Sequence, residues 1–317
     1  MTVHGGQGLL RTFQQTLDKR ETHSGRRRLS IAPADSVDFS SNDFLSLSKS
    51  SELRAAYLQE LEQASRTLPL GSGGSRLLDG NTTYAERIEL DLAVFYDAPA
   101  GLLFNSGFDA NSGVFSCIPQ PGDAIIYDEY IHASVHEGMR LSRSTTRKAF
   151  SHNSIKDFES VLGAVIAKED GFTTGRRNVF IAIETVYSMD GDVAPVSEIL
   201  DTIDRLLPAK NGHLIVDEAH SSGVYGENGR GIIHSLGVQD RILARLHTFG
   251  KALSSGGAIL LCHPVMREYL INYARSLIYT TAMGLPTLAM IKTVHGRLAN
   301  GQTVAVSAPQ TTRALLS

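Results

Sequence analysis

The sequence predicts a three-layer α/β protein, αβα, in which helices cover both faces of a mainly parallel β-sheet. Two observations lead to this fold class: short runs that are apolar throughout, and stretches between them with apolar residues at helical spacing. A strand covered on both faces has no polar side, so it reads as a continuous apolar run. Strands and helices in alternation predict one mainly parallel sheet. The predicted strands are residues 101–104, 124–127, 179–183, 213–216 and 258–262.

Two of the intervening stretches show the helical period most clearly. Apolar residues that recur every three or four positions form a stripe along one side of a helix, and that stripe packs against the core. The first stretch carries the stripe Tyr84, Ile88, Leu92 and Phe95. The second carries Val196, Ile199, Leu200, Ile203, Leu206 and Leu207.

Composition and charge limit the classes of partner. The chain has 317 residues, of which 42% are hydrophobic and 20% charged, as expected for one large globular domain or two ordinary ones. Its 30 Lys and Arg against 33 Asp and Glu give a net charge of -3, which provides no basic field for nucleic acid or an anionic membrane. The apolar runs are far shorter than the ~20 residues that cross a bilayer. We therefore expect neither a nucleic-acid nor a membrane partner.

The cysteines and the two ends of the sequence indicate where in the cell the protein is expected. Cys117 and Cys262 both lie among apolar residues, as buried and reduced thiols do in a cytoplasm-like compartment. The first 30 residues have no apolar core and fit neither a secretory signal nor a transit peptide. The final Leu-Leu-Ser is not a peroxisomal signal. We expect a cytoplasmic location and leave peroxisomal and mitochondrial ones open.

Polar side chains follow four of the predicted strands. In parallel sheets ligands bind at the carboxyl ends of the strands, so these positions are where a functional site is expected. The polar residues after the strands are 105–111, Asp128 with His132, 184–191 and 217–220.

Lys251 and Asp217 are the strongest candidates for chemistry. Lys251 lies in the apolar segment 246–253, where loss of hydration would lower the pKa of its amine and let it attack a carbonyl carbon. A carboxylate at Asp217, after a buried strand, is costly unless it faces a cation such as a pyridinium nitrogen. Together they form the pattern of pyridoxal-phosphate enzymes. Taken singly, Lys251 could be a loop lysine whose amine reaches solvent, and Asp217 a helix N-cap.

A cofactor phosphate needs backbone N–H donors and little steric bulk. Ser106, Gly107 and Phe108, between a strand and a predicted helix, would present such donors at a helix N-terminus. Thr248, three residues before Lys251, offers a hydroxyl from another side. A Ser-Gly pair before a helix can equally be a simple cap.

Three histidines and a glycine-rich stretch complete the candidates. His132 could stack on an aromatic cofactor, or pair with His136 on a metal, although no third ligand at suitable spacing is evident, so no metal is predicted. His220 could reach a ring oxygen or merely end its strand. Residues 71–81 lack the Gly-Lys-Ser/Thr of a nucleotide-binding loop and read as a flexible surface turn.

Several of these motifs together resemble one family, the α-oxoamine synthases of the fold-type I pyridoxal-phosphate enzymes, and within it the oxononanoate branch. The motifs occur in family order, which is more specific than any one alone. They are Asp-Phe-Ser-Ser-Asn-Asp-Phe-Leu at 38–45, the glycine-rich stretch at 71–80, Ser-Gly-Phe at 106–108, His-Ala-Ser at 132–134, Tyr-Ser-Met-Asp-Gly-Asp at 187–192, Asp-Glu-Ala-His-Ser-Ser-Gly at 217–223 and Thr-Phe-Gly-Lys at 248–251.

The resemblance implies roles at the matching positions. Lys251 would attach the cofactor and later move the α-proton, while Asp217 would pair with the pyridine nitrogen. His132 and Ala219 would lie on opposite ring faces, with His220 and Ser188 at the ring's oxygen side. The remaining implied contacts are Ser106, Gly107, Phe108 and Thr248 to the phosphate, Arg26 to the acyl substrate, and Thr280 and Thr281 to the cofactor of a neighbouring subunit.

The resemblance also implies a reaction and a domain plan. An amino acid, L-alanine, would condense with an acyl-CoA, pimeloyl-CoA, and lose carbon dioxide to give an α-oxoamine, as in biotin synthesis, in a homodimer. The plan is an N-terminal segment at 1–45, a large cofactor domain at 46–290 and a divergent tail at 291–317, without the family's small C-terminal domain. Two alternatives stay open: a shortened cofactor-binding protein without full activity, and a synthase of a secondary-metabolite pathway.

Overall fold

A computed structural model describes residues 7–33 and 35–302 of the chain. Within them the chain divides into two units, the first ending at Ser41 and the second beginning at Asn42. The described part of the first unit contains helix α1, Gln7–Thr22. No helix of the described residues combines the length and the apolar character that crossing a bilayer requires.

The second unit alternates strands and helices. Its strands are β1 Ala100–Phe104, β2 Ala124–Asp128, β3 Thr146–Phe150, β4 Val179–Glu184, β5 Gly212–Asp217, β6 Ala244–Thr248 and β7 Ala258–Cys262. Its helices are α2 Ser51–Ser65, α3 Thr83–Phe95, α4 Gly107–Cys117, α5 Ala133–Leu141, α6 Ile155–Ile166, α7 Asp170–Thr173, α8 Val196–Leu206, α9 Ile232–Leu236, α10 Pro264–Tyr273, α11 Arg275–Ile278 and α12 Leu285–Ala299.

The seven strands form one sheet in the order β1-β7-β6-β5-β4-β2-β3. All neighbouring pairs among β2 to β6 are parallel, while β7 runs antiparallel to both β1 and β6. Because β7 alone is reversed, the carboxyl ends of the other six strands lie along one edge of the sheet. The mainly parallel sheet predicted from the sequence is confirmed.

Apolar residues on both faces of the sheet give the three layers. One face packs Leu102, Ile125, Ile215 and Leu260 against α4, α5 and α10. The opposite face packs against α6 and α8 at one end of the sheet, and against α2, α3 and α12 at the other. Successive strand residues point to opposite faces, so a strand buried on both must be apolar at every position. This burial explains why five strands read as continuous apolar runs.

Two strands were not predicted because polar residues interrupt their patterns. In β3, an edge strand paired only with β2, Arg147 and Lys148 are not buried and need no apolar character. In β6, Arg245 and His247 are buried but hydrogen-bonded: Arg245 donates to the carbonyls of Tyr96 and Asp97, at 2.8 and 3.1 Å. A polar side chain can occupy a buried strand when the fold supplies its partners. Those partners are distant in sequence and therefore invisible to a local pattern.

The burial pattern of α3 predicts unequal effects from two truncations on the same helix. Ile88 is 3% exposed and Leu90 is 61% exposed. We expect Ile88→Ala to lower the free energy of unfolding by about 2–5 kcal/mol, because it leaves a cavity in the core. Leu90→Ala, the matched control, should change it by less than about 0.5 kcal/mol. Urea denaturation of both variants tests this, and equal losses would contradict the assignment of the buried stripe.

Candidate functional site

The candidate site lies along the edge where the parallel strands end. The backbone register places Glu184 beside Asp217 at the ends of β4 and β5. Thr248, at the end of β6, is paired with Ala258, which in turn is paired with Phe104 at the end of β1. Residues far apart in sequence are therefore neighbours at this edge, as the strand-end prediction expected.

Asp217 is held by two hydrogen bonds at the end of β5. Its carboxylate, 7% exposed, accepts from Asn111 Nδ2 at 2.8 Å and from the backbone N–H of Ala219 at 2.9 Å. The residues that follow form turns rather than a helix, so Asp217 is not a helix N-cap. Buried carboxylates in proteins face donors or cations, and this one has only two neutral donors among the described residues. The geometry leaves it suited to a cationic ligand.

Glu184 is a second buried carboxyl group that the sequence did not single out as a site residue. It is 2% exposed, and its Oε1 has no hydrogen-bond partner among the described residues. Burial, followed by the charge of Asp217, raises the pKa of Glu184 to about 8. At neutral pH the side chain therefore holds a proton. The signal was present in the sequence: Glu184 ends an apolar run, as Asp217 does.

The amine of Lys251 points at His220 across the same edge. Lys251 Nζ lies 2.9 Å from His220 Nε2, so the amine is not directed into solvent as a surface lysine would be. Burial lowers the pKa of Lys251, although the charge of Asp217, and that of Glu184 once it is ionised, acts in the opposite direction. Burial also lowers the pKa of His220 to about 4, assisted by the charge of Lys251. His220 is therefore neutral and can accept a proton or hydrogen bond from the amine.

Helix α4 begins at Gly107, directly after β1, as the Ser-Gly-Phe motif predicted. Ser106 is its N-cap and accepts from the backbone N–H of Asp109 at 3.0 Å. A Cβ at Gly107 would collide with the methyl group of Thr248, so only glycine allows this close approach. The side chain of Phe108 is exposed.

Thr248, whose methyl group packs against the start of α4, carries an unpartnered hydroxyl. The buried Oγ1 of Thr248 has no hydrogen-bond partner among the described residues, and Ser255 Oγ shares this property. Orphaned buried hydroxyls are uncommon and suggest a missing ligand. A helix N-terminus with a free hydroxyl beside it is a suitable anion site.

His132 is joined to Asp217 by a chain of hydrogen bonds. Asn111 Nδ2 donates to Asp217 and also, at 3.0 Å, to Ser134 Oγ, which lies 2.7 Å from His132 Nδ1. His132 is the N-cap of α5, and its Nδ1 accepts from the backbone N–H of Ser134. Burial lowers the pKa of His132. The lowered pKa favours the neutral ring, and the N–H of Ser134 at Nδ1 favours the tautomer with its proton on Nε2.

The other site residues predicted from the sequence lie in different parts of the structure. Ala219 is buried beside Asp217, and Ser188 is exposed in the turn after β4. Arg26 lies in the first unit, where its guanidinium is 3.5 Å from Glu21. His136 contacts the ring of Tyr127, and within the described ranges no three His, Cys, Asp or Glu side chains are placed so that they could hold a metal ion.

Thr280 and Thr281 are fixed to the end of β1 through Asn105, which the sequence analysis did not assign a role. Asn105 Nδ2 lies 3.2 Å from Thr280 Oγ1 and 2.7 Å from the carbonyl oxygen of Thr281. The glycine-rich stretch at 71–81 is tied to the same segment, since the N–H of Ala282 donates to the carbonyl of Gly74 at 2.8 Å. This stretch is therefore packed against its neighbours.

Comparison with known proteins bears on the whole chain. Residues 34–308 match the family model described as aminotransferase class I and II. The chain is 58% identical over 292 residues to 8-amino-7-oxononanoate synthase of Emericella nidulans, covering 92% of this chain and 71% of the relative. It is 40% identical over 296 residues to aminoacyl transferase sphA of Aspergillus fumigatus, covering 92% and 63%.

A solved structure has a similar fold. Sphingomonas wittichii serine palmitoyltransferase matches with a TM-score of 0.76 at 27% identity, covering 92% of this chain and 72% of that one. The chain thus spans 71% of the length of the first curated relative and less than two thirds of the second.

The environment of Lys251 predicts early deprotonation of its amine. In cofactor-free protein, acetic anhydride labelling across a pH series should give a midpoint below 10.5, the ordinary lysine value, because burial disfavours the charged form. Asp217→Asn should lower the midpoint further, since the Asp217 charge favours the ammonium. Peptide mass spectrometry measures both. A midpoint at or above 10.5 would contradict the assignment.

Proposed function

The chain belongs to the aminotransferase class I and II family, and within it to the α-oxoamine synthases, and we propose that it is a pyridoxal-phosphate-dependent acyltransferase. The reaction joins the α-carbon of an amino acid to the acyl carbon of an acyl-CoA. The thioester C–S bond breaks, the thiol of coenzyme A leaves, and the carboxyl group is lost as carbon dioxide. The observation that carries this proposal is the meeting of Lys251, His220 and Asp217 at one edge of the sheet.

The residues at this edge fit pyridoxal phosphate. When bound, the cofactor supplies an electron sink that stabilises negative charge at the carbon bearing the substrate's amino group. Asp217 offers a buried carboxylate for the ring nitrogen, and the Thr248 hydroxyl, without a partner in the described part of the chain, offers a donor for the phosphate. The N–H groups at the start of α4 and the Ser106 hydroxyl would complete the phosphate contacts.

Lys251 supplies the nucleophile and the base. Its lowered pKa increases the fraction of neutral amine, which can hold the cofactor covalently and then accept a proton from the substrate's α-carbon. His220, neutral and 2.9 Å from that amine, orients it and can contact the ring oxygen together with Ser188. Burial of the amine excludes water that would compete for the proton.

Asp217 and His132 would fix the plane of the ring. Asn111 restricts the Asp217 carboxylate from one side and, through Ser134, sets the tautomer of His132. A neutral imidazole can stack on one ring face without adding charge, while Ala219 leaves room on the other. This shared hydrogen-bond chain supports a single orientation of both groups. Thr280 and Thr281 would contact the cofactor of a second subunit in a homodimer.

The names of two relatives support a choice of substrates for this reaction. The 58% identical relative is an 8-amino-7-oxononanoate synthase, which favours L-alanine and pimeloyl-CoA as in biotin synthesis, with Arg26 meeting the acyl substrate. The 40% identical relative, an aminoacyl transferase, supports a second candidate: the same reaction with another thioester. The buried thiols of Cys117 and Cys262 favour a cytoplasmic location.

Removing the amine of Lys251 should abolish the reaction. We expect Lys251→Ala to lose the visible absorbance of covalently bound cofactor and to lower thiol release from acyl-CoA, with alanine present, by at least about 100-fold, since both attack and proton transfer are lost. Lys210→Ala, which breaks only a surface ion pair with Asp204, is the matched control. Thiol release by wild-type protein that Lys251→Ala leaves unchanged would overturn the proposal.

The two hydroxyls of the phosphate site should respond differently to truncation. Thr248→Val should weaken binding of pyridoxal phosphate about 10-fold without lowering stability, because its hydroxyl has no partner to lose in the described protein. Ser106→Ala should also lower the free energy of unfolding by about 1 kcal/mol, because it removes the N-cap of α4. Cofactor titration and thermal unfolding measure both effects. Unchanged cofactor affinity in Thr248→Val would exclude it from the phosphate site.

A further inference from the structure

A second cluster of polar side chains, centred on His152, lies beyond the end of β3 and has no role in the function proposed above. His152 Nδ1 is 2.8 Å from Asp128 Oδ1, and its Nε2 is 2.7 Å from Asp192 Oδ2. The ring is stacked on Tyr130, with centroids 4.3 Å apart, and meets the edge of Tyr187 at 4.5 Å. The side chain of His152 is only 15% exposed.

The two carboxylates determine the protonation of this ring. A neutral imidazole has one donor and one acceptor nitrogen, so one nitrogen would face a carboxylate oxygen lone pair to lone pair. Both contacts are favourable only when each nitrogen carries a proton. Burial by itself would lower the pKa of His152, but the hydrogen bonds to Asp128 and Asp192 outweigh it and raise the pKa.

The cluster joins three separate pieces of chain at the edge of the sheet. Asp128 ends β2 and also accepts from the N–H of Asn153 at 2.9 Å. Asp192 belongs to the turn after β4 and accepts from the side chain of Asn153 at 2.6 Å. His152 therefore connects the end of β2, the end of β3 and the turn after β4.

That turn carries Ser188. Its backbone is closed on itself, since the N–H of Tyr187 donates to the carbonyl of Asp192 at 3.0 Å and the N–H of Gly191 donates to the carbonyl of Tyr187 at 2.9 Å. Residues 188–190 between these bonds are exposed. The carboxylate of Asp192 ties this turn to His152 and Asn153, so the His152 contact is one of the side-chain anchors that set its position.

We propose that His152 is a positioning residue, an imidazolium that bridges Asp128 and Asp192 and so fixes the Ser188 turn against the cofactor edge of the sheet. The proposal rests on the proposed function insofar as Ser188 contacts the cofactor. Breaking the bridge should make the turn more mobile and lower the affinity for the cofactor, while the amine of Lys251 and the carboxylate of Asp217 stay in place.

The bridge implies a pH dependence of definite sign. With both carboxylates ionised, its stabilisation is complete below pH 6.5, the ordinary histidine value, and is lost as the pH rises through the raised pKa of His152, because deprotonation removes one donor. The charged and titratable groups facing the ring are Asp128 at the end of β2, Tyr130 two residues later, and Tyr187 and Asp192 from the turn after β4. Glu129 accepts from the backbone N–H of His152 at 2.8 Å. The carboxylates of Asp128 and Asp192 both favour the imidazolium.

The test uses the full chain, His152→Gln, and pyridoxal phosphate as the probe. Nitrogen-detected NMR of the histidine rings should show His152 doubly protonated at pH values above the ordinary 6.5. We expect His152→Gln to raise the cofactor dissociation constant about 10-fold at pH 7, equivalent to about 1.4 kcal/mol. In wild-type protein the dissociation constant should rise by a similar factor as His152 deprotonates, and the variant should lack that step.

Three further variants separate positioning from general destabilisation. Asp192→Asn should weaken cofactor binding as His152→Gln does, and the double variant should be no weaker than either single one, because both act through one bridge. His213→Gln is the matched control. His213 lies near the start of β5, at the other end of the strands from the candidate site, and is hydrogen-bonded to Asn178, so this change should leave cofactor binding unchanged. Thermal unfolding of all four variants accounts for any common loss of stability.

The outcomes decide the proposal. A singly protonated His152 at pH 7, or a His152→Gln protein with wild-type cofactor affinity and pH profile, would overturn it, as would additive effects in the double variant. Thiol release from acyl-CoA tests the proposed function separately. If wild-type protein releases no thiol but its cofactor affinity still depends on His152, the proposed reaction is wrong and the bridge stands.

Discussion

The buried carboxylate of Asp217 is the constraint on which the site depends. A carboxylate at the end of a covered strand loses most of its hydration, and the amide of Asn111 with one backbone N–H only partly replaces it. Nearby Lys251 cannot supply the full compensation, because burial lowers the pKa of its own amine. The site is therefore organised around negative charge that a cationic ring would neutralise.

The groups around that carboxylate are arranged by the layers of the fold rather than by loops alone. The amide of Asn111 on α4 donates to Asp217 on β5 and to Ser134 on α5, so one side chain orients residues of two other elements. Glu184, beside Asp217 in register, keeps a proton and so avoids placing a second full negative charge there. Such a network resists rearrangement because each polar atom depends on another being in place.

Local sequence patterns were sufficient to predict much of this arrangement. Continuous apolar runs identified strands wherever both faces are covered, and the position just after each run identified Asp217, Ser106 and His132. The same reasoning missed β6, whose Arg245 and His247 have partners only in the folded chain. It placed Asn105 and Asn111 in a strand-end segment but gave their side chains no role, because an asparagine in a polar segment has no distinguishing feature until its hydrogen-bond partners are known.

The sequence by itself determined the fold class and the family, because apolar periodicity and several motifs in a fixed order are properties of the chain read along its length. Only the tertiary structure decided which polar groups are charged. Lys251, His220 and Glu184 have ordinary side chains, and their altered pKa values arise from burial and from neighbours distant in sequence. His152 likewise becomes a bridge only where β2, β3 and the turn after β4 meet, since electrostatic energy depends on separation in space.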